Sequence, residues 1–99
     1  MILVVHCRKS YYDVLIDRTT KWGNPFTHVR NRLTRASFLV ATREEAISAY
    51  ERWLLTQPHL VAALPELADK ILGCWCRPLA CHGDVLIRLA NQGGQHGQT

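Results

Sequence analysis

A small α/β domain is the fold this sequence predicts, and three observations predict it. Ile2–Cys7 is a continuous apolar run rich in β-branched residues, the pattern of a buried strand. Thr42-Arg43-Glu44-Glu45 opens a stretch with apolar residues at helical spacing. Lys70–Cys76, a second apolar run, feeds a helical pattern over Asp84–Asn91, which is half of an α/β unit. The expected architecture is a compact domain with a short, partly parallel sheet covered by helices, in the order β-β-loop-α-α-β-α. Residues 1–91 form that domain and residues 92–99, rich in Gly and Gln, form a flexible tail.

In chain order, Arg8-Lys9-Ser10 ends the first strand with charge, and Tyr12–Ile16 supplies a second. A hairpin between them is one option, although Arg8–Tyr11 lacks the Asn-Gly signal of a tight turn. Thr19–Phe26 is a loop: Gly23 frees its backbone and Pro25 drives Asn24 toward extended geometry. His28–Arg35 has little apolar patterning and reads as an exposed arm, and Ser37–Ala41 as a short apolar return. Thr42 caps the first helix, whose face carries Ala46, Ile47, Tyr50, Trp53 and Leu54. Gln57-Pro58 ends that helix, and Pro58 starts another at a first-turn position. The last helix buries Val85, Leu86, Leu89 and Ala90. In Cys74-Trp75-Cys76, strand alternation turns Trp75 to the opposite layer and leaves Cys74 as a small buried hydrophobe.

Ninety-nine residues suffice for one modest core without staples. No apolar run approaches the ~20 residues of a membrane span, and Met1–Val5 is too short for a signal peptide. The expectation is a soluble, cytoplasmic protein with four reduced cysteines. A net charge of +4 biases it toward anionic partners. Arg30, Arg32 and Arg35 make the best nucleic-acid patch, with a solvated loop as the plain alternative.

Chemistry-bearing residues concentrate in Gly73–Asp84, which reads Gly-Cys-Trp-Cys-Arg-Pro-Leu-Ala-Cys-His-Gly-Asp. If the first and last strands are parallel neighbours, Cys7 and Cys76 emerge at one edge, where open α/β sheets bind ligands. Val4–Arg8, Tyr12–Arg18, Trp22-Gly23-Asn24-Pro25-Phe26 and Leu72–Leu86 resemble the family termed domain of unknown function 4326, over roughly Val4–Ala90. The resemblance implies a phage or bacterial setting and no particular activity. Two positions depart from its pattern: Asp17 stands where the family usually has glycine, and His6 where it often has asparagine. The first departure questions a tight backbone approach at Asp17.

Three readings of the motif stay open. Zinc, as a possible cofactor, would take Cys76, Cys81 and His82, although the C-x-C-x₄-C-H spacing differs from usual zinc knuckles. Alternatively Cys81 is a nucleophile at a helix N-terminus, with His82 or His6 as its base. The third and favoured reading is an anion site: amides around His82, Gly83 and Asp84 receive a phosphate, and Arg77, Arg8 and Lys9 neutralise it. Lys21, Trp22, Gly23 and Asn24 would then hold or stack a base. The expected function is binding, with processing as an extension, of a nucleotide-like or phosphorylated small molecule; a phage setting suggests DNA precursors or a host signal. The alternative is a non-enzymatic module binding nucleic acid or a host protein, with a structural Cys/His loop that zinc could bind. A concave pocket at the join favours the first.

Overall fold

The computed structural model describes residues 3–29, 38–77 and 79–96. Its elements are β1 (Leu3–His6), β2 (Val14–Leu15), β3 (Phe26–Thr27), β4 (Phe38–Leu39), α1 (Arg43–Leu55), α2 (Pro58–Ala63), a 3₁₀ turn at Leu64–Leu67, β5 (Ile71–Cys74) and α3 (Gly83–His96). This is the expected small mixed α/β domain, with short parallel sheets and three helices. No helix among the described residues is long and apolar enough to cross a membrane.

Strand β5 lies between β1 and β2, and both pairings are parallel. In register, His6 lies beside Cys74 and Leu15 beside Gly73. Backbone bonds continue past the strands: Cys7 N–H donates to the Cys74 carbonyl and Ile16 N–H to the Gly73 carbonyl, each at 2.9 Å. Parallel β1 and β5 match the sequence expectation. The hairpin option fails, because β5 separates β1 from β2 and the chain must return before β2 begins. Gly73 makes room for that return. A Cβ there would stand 2.6 Å from Tyr12 Cγ, so the Tyr12 ring lies directly on the backbone of the central strand. Asp13 fastens the same crossing: its amide donates to the Ile71 carbonyl (2.7 Å) and its carboxylate accepts from the Ile71 amide (2.8 Å).

Helix α1 begins at the predicted cap, Thr42, with the reciprocal Glu45 bond falling one residue earlier than a capping box places it. Thr42 Oγ1 accepts from Glu45 N–H at 3.0 Å, and the Glu45 carboxylate reaches back to the Ala41 amide at 3.3 Å. Its inner face buries Ala46, Ala49, Tyr50 and Leu54, with Ile47 and Trp53 partly covered. The Tyr50 hydroxyl donates to the Trp22 carbonyl at 2.7 Å, tying the loop after β2 to α1. Pro58 occupies the first turn of α2, where its missing N–H costs nothing. Leu60, Leu64, Leu67, Leu72, Leu86 and Leu89 join one buried cluster, each worth about 1.5–3 kcal/mol by removal from water. Asp69, with φ at 61°, makes the left-handed turn into β5, which a short polar side chain tolerates.

Helix α3 differs from expectation at both ends. It starts at Gly83 and continues to His96, five residues into the stretch read as a flexible tail. The buried stripe of Val85, Leu86, Leu89 and Ala90 is as expected. Strand β5 also stops earlier than predicted, at Cys74, so Trp75 and Cys76 lie beyond it. The arm carrying Arg30, Arg32 and Arg35 falls outside the described residues.

Candidate functional site: a thiol and arginine cavity at the sheet edge

Past the C-terminal ends of β2 and β5 the chain encloses a cavity of about 170 Å³. Five segments line it: Asp17 and Arg18 after β2, Asn24 with Phe26–Val29, the start of α1 (Arg43, Ala46, Ile47), Cys74–Cys76, and Ala80–His82. Each is held by bonds that follow from its sequence.

Gly23 lets the loop fold onto itself. A Cβ there would meet Arg18 Cα at 2.5 Å and the Asp17 carbonyl at 2.7 Å. The close backbone approach is thus made from Gly23, and Asp17 keeps an ordinary negative φ. Arg18 then clamps the loop: Nε donates to the Asn24 carbonyl at 2.6 Å and Nη2 to the Phe26 carbonyl at 2.9 Å. Burial lowers the Arg18 pKa, and the nearby Cys76 sulfur opposes that. Asn24, itself buried, donates to the Ala46 carbonyl (3.1 Å) and accepts from the Phe26 amide (2.9 Å), bracing α1 against β3.

Trp75 is 52% exposed, because β5 ends before it and strand alternation no longer governs its direction. This corrects the expectation that it faces the opposite layer. Its indole N–H donates to Asp17 Oδ2 at 3.0 Å; His6 meets its edge at 5.9 Å, and the Arg8 guanidinium lies 5.6 Å from its centroid.

The floor is sulfur. Cys74 Sγ and Cys81 Sγ are 3.2 Å apart, both buried, and Cys76 and Arg43 line the same cavity. Arg43 also donates to the Ala80 carbonyl at 3.2 Å. The three thiols that line the cavity differ in acidity. The neighbouring Cys74 and Cys81 thiols, with Arg43 adding to them against the cost of burial, hold Cys76 below the ordinary thiol range. The Cys74 and Cys76 sulfurs and burial push Cys81 far up. Cys74 is raised too, chiefly by Cys76. The thiol that is lowered, Cys76, is also the partly exposed member.

This moves the candidate nucleophile. Cys81 is a neutral, buried thiol whose sulfur accepts from the Gly83 amide at 3.3 Å, and so caps α3. His82 is buried and below the usual imidazole range because of that burial. Its neutral ring donates from Nε2 to the Ile16 carbonyl at 2.6 Å and meets Tyr50 edge-on. His6 is no lining residue; its Nδ1 accepts from the Arg8 amide at 3.1 Å. Cys76, partly exposed and lowered, is the better candidate. The zinc grouping fares similarly: no three His, Cys, Asp or Glu side chains among the described residues are arranged to hold a metal ion.

The predicted anion site at the start of α3 is filled from within. Cys81 Sγ takes the Gly83 amide, and the Asp84 amide turns back to the Cys81 carbonyl at 3.0 Å. Asp84 accepts from the Cys81 amide at 3.2 Å and pairs with Arg77. Arg77 also donates to the Val4 carbonyl at 3.3 Å, so it fastens the join to β1. Gly83 serves packing, since a Cβ would lie 2.8 Å from Val4 Cγ2 and 3.0 Å from Ile16 Cδ1. Trp22, 2% exposed, belongs to the core and offers no stacking face. Lys21 pairs with Glu66 at 3.0 Å beside the Trp22 ring, and exposed Lys9 also lies off the cavity. Of the predicted site residues, Asn24, Cys76, Cys81 and His82 line the cavity; the sequence reading missed Arg18, Arg43 and Trp75 as site residues. Arg18 and Trp75 lie inside the segments that carried the family resemblance, and that was the available signal.

Comparison with known proteins identifies the family. The chain is 32% identical over 89 residues to an uncharacterized 12.4 kDa protein of the nrdA-td intergenic region of Enterobacteria phage T4, covering 90% of this chain and 77% of that one. It is 31% identical over 78 residues to uncharacterized protein R718 of Acanthamoeba polyphaga mimivirus, covering 71% of this chain and about half (52%) of the relative. No solved structure matches significantly. Residues 5–92 match the profile of Domain of unknown function (DUF4326), and the chain belongs to that family.

Proposed function

We propose that the cavity at the C-terminal edge of the sheet binds an anionic small molecule of nucleotide-like or otherwise phosphorylated class, and that Cys76 is the group poised to act on it. The observation that carries this reading is that two arginines, Arg18 and Arg43, line one concave surface. Asp17, the carboxylate among the described lining residues, already accepts from Trp75 and Thr19. Arginine presents planar, fixed donors suited to phosphate oxygens. The half-exposed indole of Trp75 supplies a face for a base or sugar, worth about 1–3 kcal/mol where a base stacks. A volume of about 170 Å³ is below the roughly 300 Å³ of drug-sized sites, so it suits one ring or phosphoryl group, with the rest of the ligand outside.

The open cavity favours this reading over a nucleic-acid or host-protein module, for which a filled join would suffice. Thermal-shift measurements with nucleoside mono-, di- and triphosphates, phosphosugars and pyrophosphate test it. A ligand at one hundred times its Kd stabilises by about 2.7 kcal/mol, and each kcal/mol raises Tm by about 4–8 °C in a domain of this size. A panel with no shift in any member sinks the proposal.

A further inference from the structure

Ligand binding as proposed leaves one close contact in the cavity floor without a role. Cys74 Sγ and Cys81 Sγ lie 3.2 Å apart, and both residues are buried on the cavity lining. We propose that Cys74 and Cys81 form a reversible dithiol–disulfide site, which exchanges with low-molecular-weight disulfides and, when closed, links the end of β5 to the start of α3.

Three features carry this assignment. First, the two sulfurs are already neighbours. A disulfide bond measures about 2.0 Å, so closure asks for an approach of roughly 1.2 Å. Second, fixed backbone holds each partner. Cys74 ends β5 in register with His6, and its carbonyl accepts from the Cys7 amide at 2.9 Å. Cys81 stands just before α3: its sulfur accepts from the Gly83 amide at 3.3 Å and its carbonyl from the Asp84 amide at 3.0 Å. Thiols held in place beforehand lose little freedom when they bond. Third, the chain between them is already folded back. Leu79 N–H donates to the Cys76 carbonyl at 2.8 Å, and Arg77 is tied to the Val4 carbonyl and to Asp84. A bridge therefore closes an existing turn. Cys7 lies off the cavity lining, and Cys76, partly exposed, lies beyond the ladder that fixes Cys74. Cys74 and Cys76, with one residue between them, would also close a very tight ring.

The exchange balances. One thiol of the pair gives its proton to solvent, and its sulfur attacks a sulfur of the small disulfide. That S–S bond breaks, and the first small thiolate leaves and takes up a proton. The product is a mixed disulfide in the cavity, whose volume of about 170 Å³ admits a two-carbon chain. The second protein thiol then loses its proton and attacks the protein-side sulfur of the mixed disulfide. The Cys74–Cys81 bond forms, and the second small thiolate leaves and is protonated. Two protein thiols and one small disulfide thus give one protein disulfide and two small thiols, with two electrons passing from the protein. Excess small thiol reverses both steps.

This inference stands without the ligand proposal, since its readout is the thiol–disulfide equilibrium of the protein alone. The full chain is incubated with mixtures of 2-mercaptoethanol and its disulfide at pH 8, starting from reduced and from oxidised protein until the two agree. Acid quenching, alkylation and peptide mapping then locate the bridge, and its equilibrium gives the effective concentration of one thiol at the other. Flexibly linked groups reach the millimolar range. The expected result is a Cys74–Cys81 bridge with Cys7 and Cys76 alkylated, and an effective concentration at least a hundredfold above that range, which urea unfolding abolishes. By linkage, a hundredfold difference between folded and unfolded protein makes the oxidised fold more stable by about 2.8 kcal/mol. That corresponds to a Tm rise of about 10–20 °C in a domain of this size. The Cys7→Ser, Cys76→Ser double variant keeps the bridge and the value. A bridge that uses Cys76 or Cys7, mixed disulfides without a bridge, or an effective concentration no higher folded than unfolded overturns the proposal. Because wild-type mapping decides the bridge, a poorly folding double variant leaves the test intact.

Discussion

The Gly23 backbone lies so close to that of Arg18 that a Cβ at position 23 would stand 2.5 Å from Arg18 Cα. This packing of backbone on backbone turns the Arg18 guanidinium back across the loop, where it holds the carbonyls of Asn24 and Phe26. The site wall is therefore built by a residue with no side chain.

Two glycines predict a graded pair of effects. Gly23→Ala pushes against main chain, which cannot move alone, whereas Gly73→Ala pushes against the Tyr12 ring, which can rotate away at some loss of packing. Overpacking of this kind costs about 1–3 kcal/mol. Urea unfolding is expected to put Gly23→Ala at or above the top of that range and Gly73→Ala lower, with Tyr12→Ala recovering part of the second. Equal costs would mean that the Gly23 loop yields as easily as a side chain.

Asp84 makes stability depend on acid. Burial raises its pKa, but the Arg77 guanidinium and the Cys81 amide together outweigh this and leave the carboxyl below its usual value. A carboxyl depressed in the folded state contributes stability above its unfolded pKa, near 3.9, and loses it as pH falls through the folded value. Denaturation midpoints should drop below about pH 4, and Asp84→Asn should flatten that limb. Asp13, lowered chiefly by its bond from the Ile71 amide, keeps a residual slope in the variant. An unchanged acid limb in Asp84→Asn would contradict the assignment.

The charge of the thiol cluster is readable by alkylation. With Cys76 held as thiolate by Cys74, Cys81 and Arg43, its reaction with iodoacetamide should be nearly flat from about pH 6 to pH 8. A free thiol gains close to tenfold per unit over the same interval. Arg43→Ala removes the guanidinium and should move the rise in rate to higher pH. A free-thiol profile in the wild type would mean that the cluster does not depress Cys76.

Local signals in the sequence were reliable where local forces decide. The Thr42 and Glu45 capping box, Pro58 opening α2, and the apolar stripe of α3 depend on neighbours within a turn. Parallel β1 and β5 followed from their unbroken apolar character. The position of β2 depends on Tyr12 meeting Gly73, a contact across sixty residues that no local pattern announces. Trp75 was misdirected because alternation was carried one residue beyond the end of β5. Trp22 looked like a stacking surface, yet its carbonyl accepts from Tyr50 while its ring fills the core. Arg18 and Arg43 were missed because an arginine after a strand or in a first helical turn ordinarily faces water. Here the Gly23 fold and the Cys81 cap bring both to one cavity.

The central claim is that this cavity receives an anionic small molecule. The most direct test is a ¹⁵N–¹H NMR titration of the full chain with adenosine monophosphate, ribose 5-phosphate and pyrophosphate in turn, to about 1 mM, where a Kd corresponds to about −4.1 kcal/mol. At least one is predicted to shift the amides of Arg18, Asn24, Arg43 and Cys76 in a saturable way, with Lys9 and Lys21 unmoved. Saturable shifts confined to residues off the cavity, or none with any of the three, would contradict it.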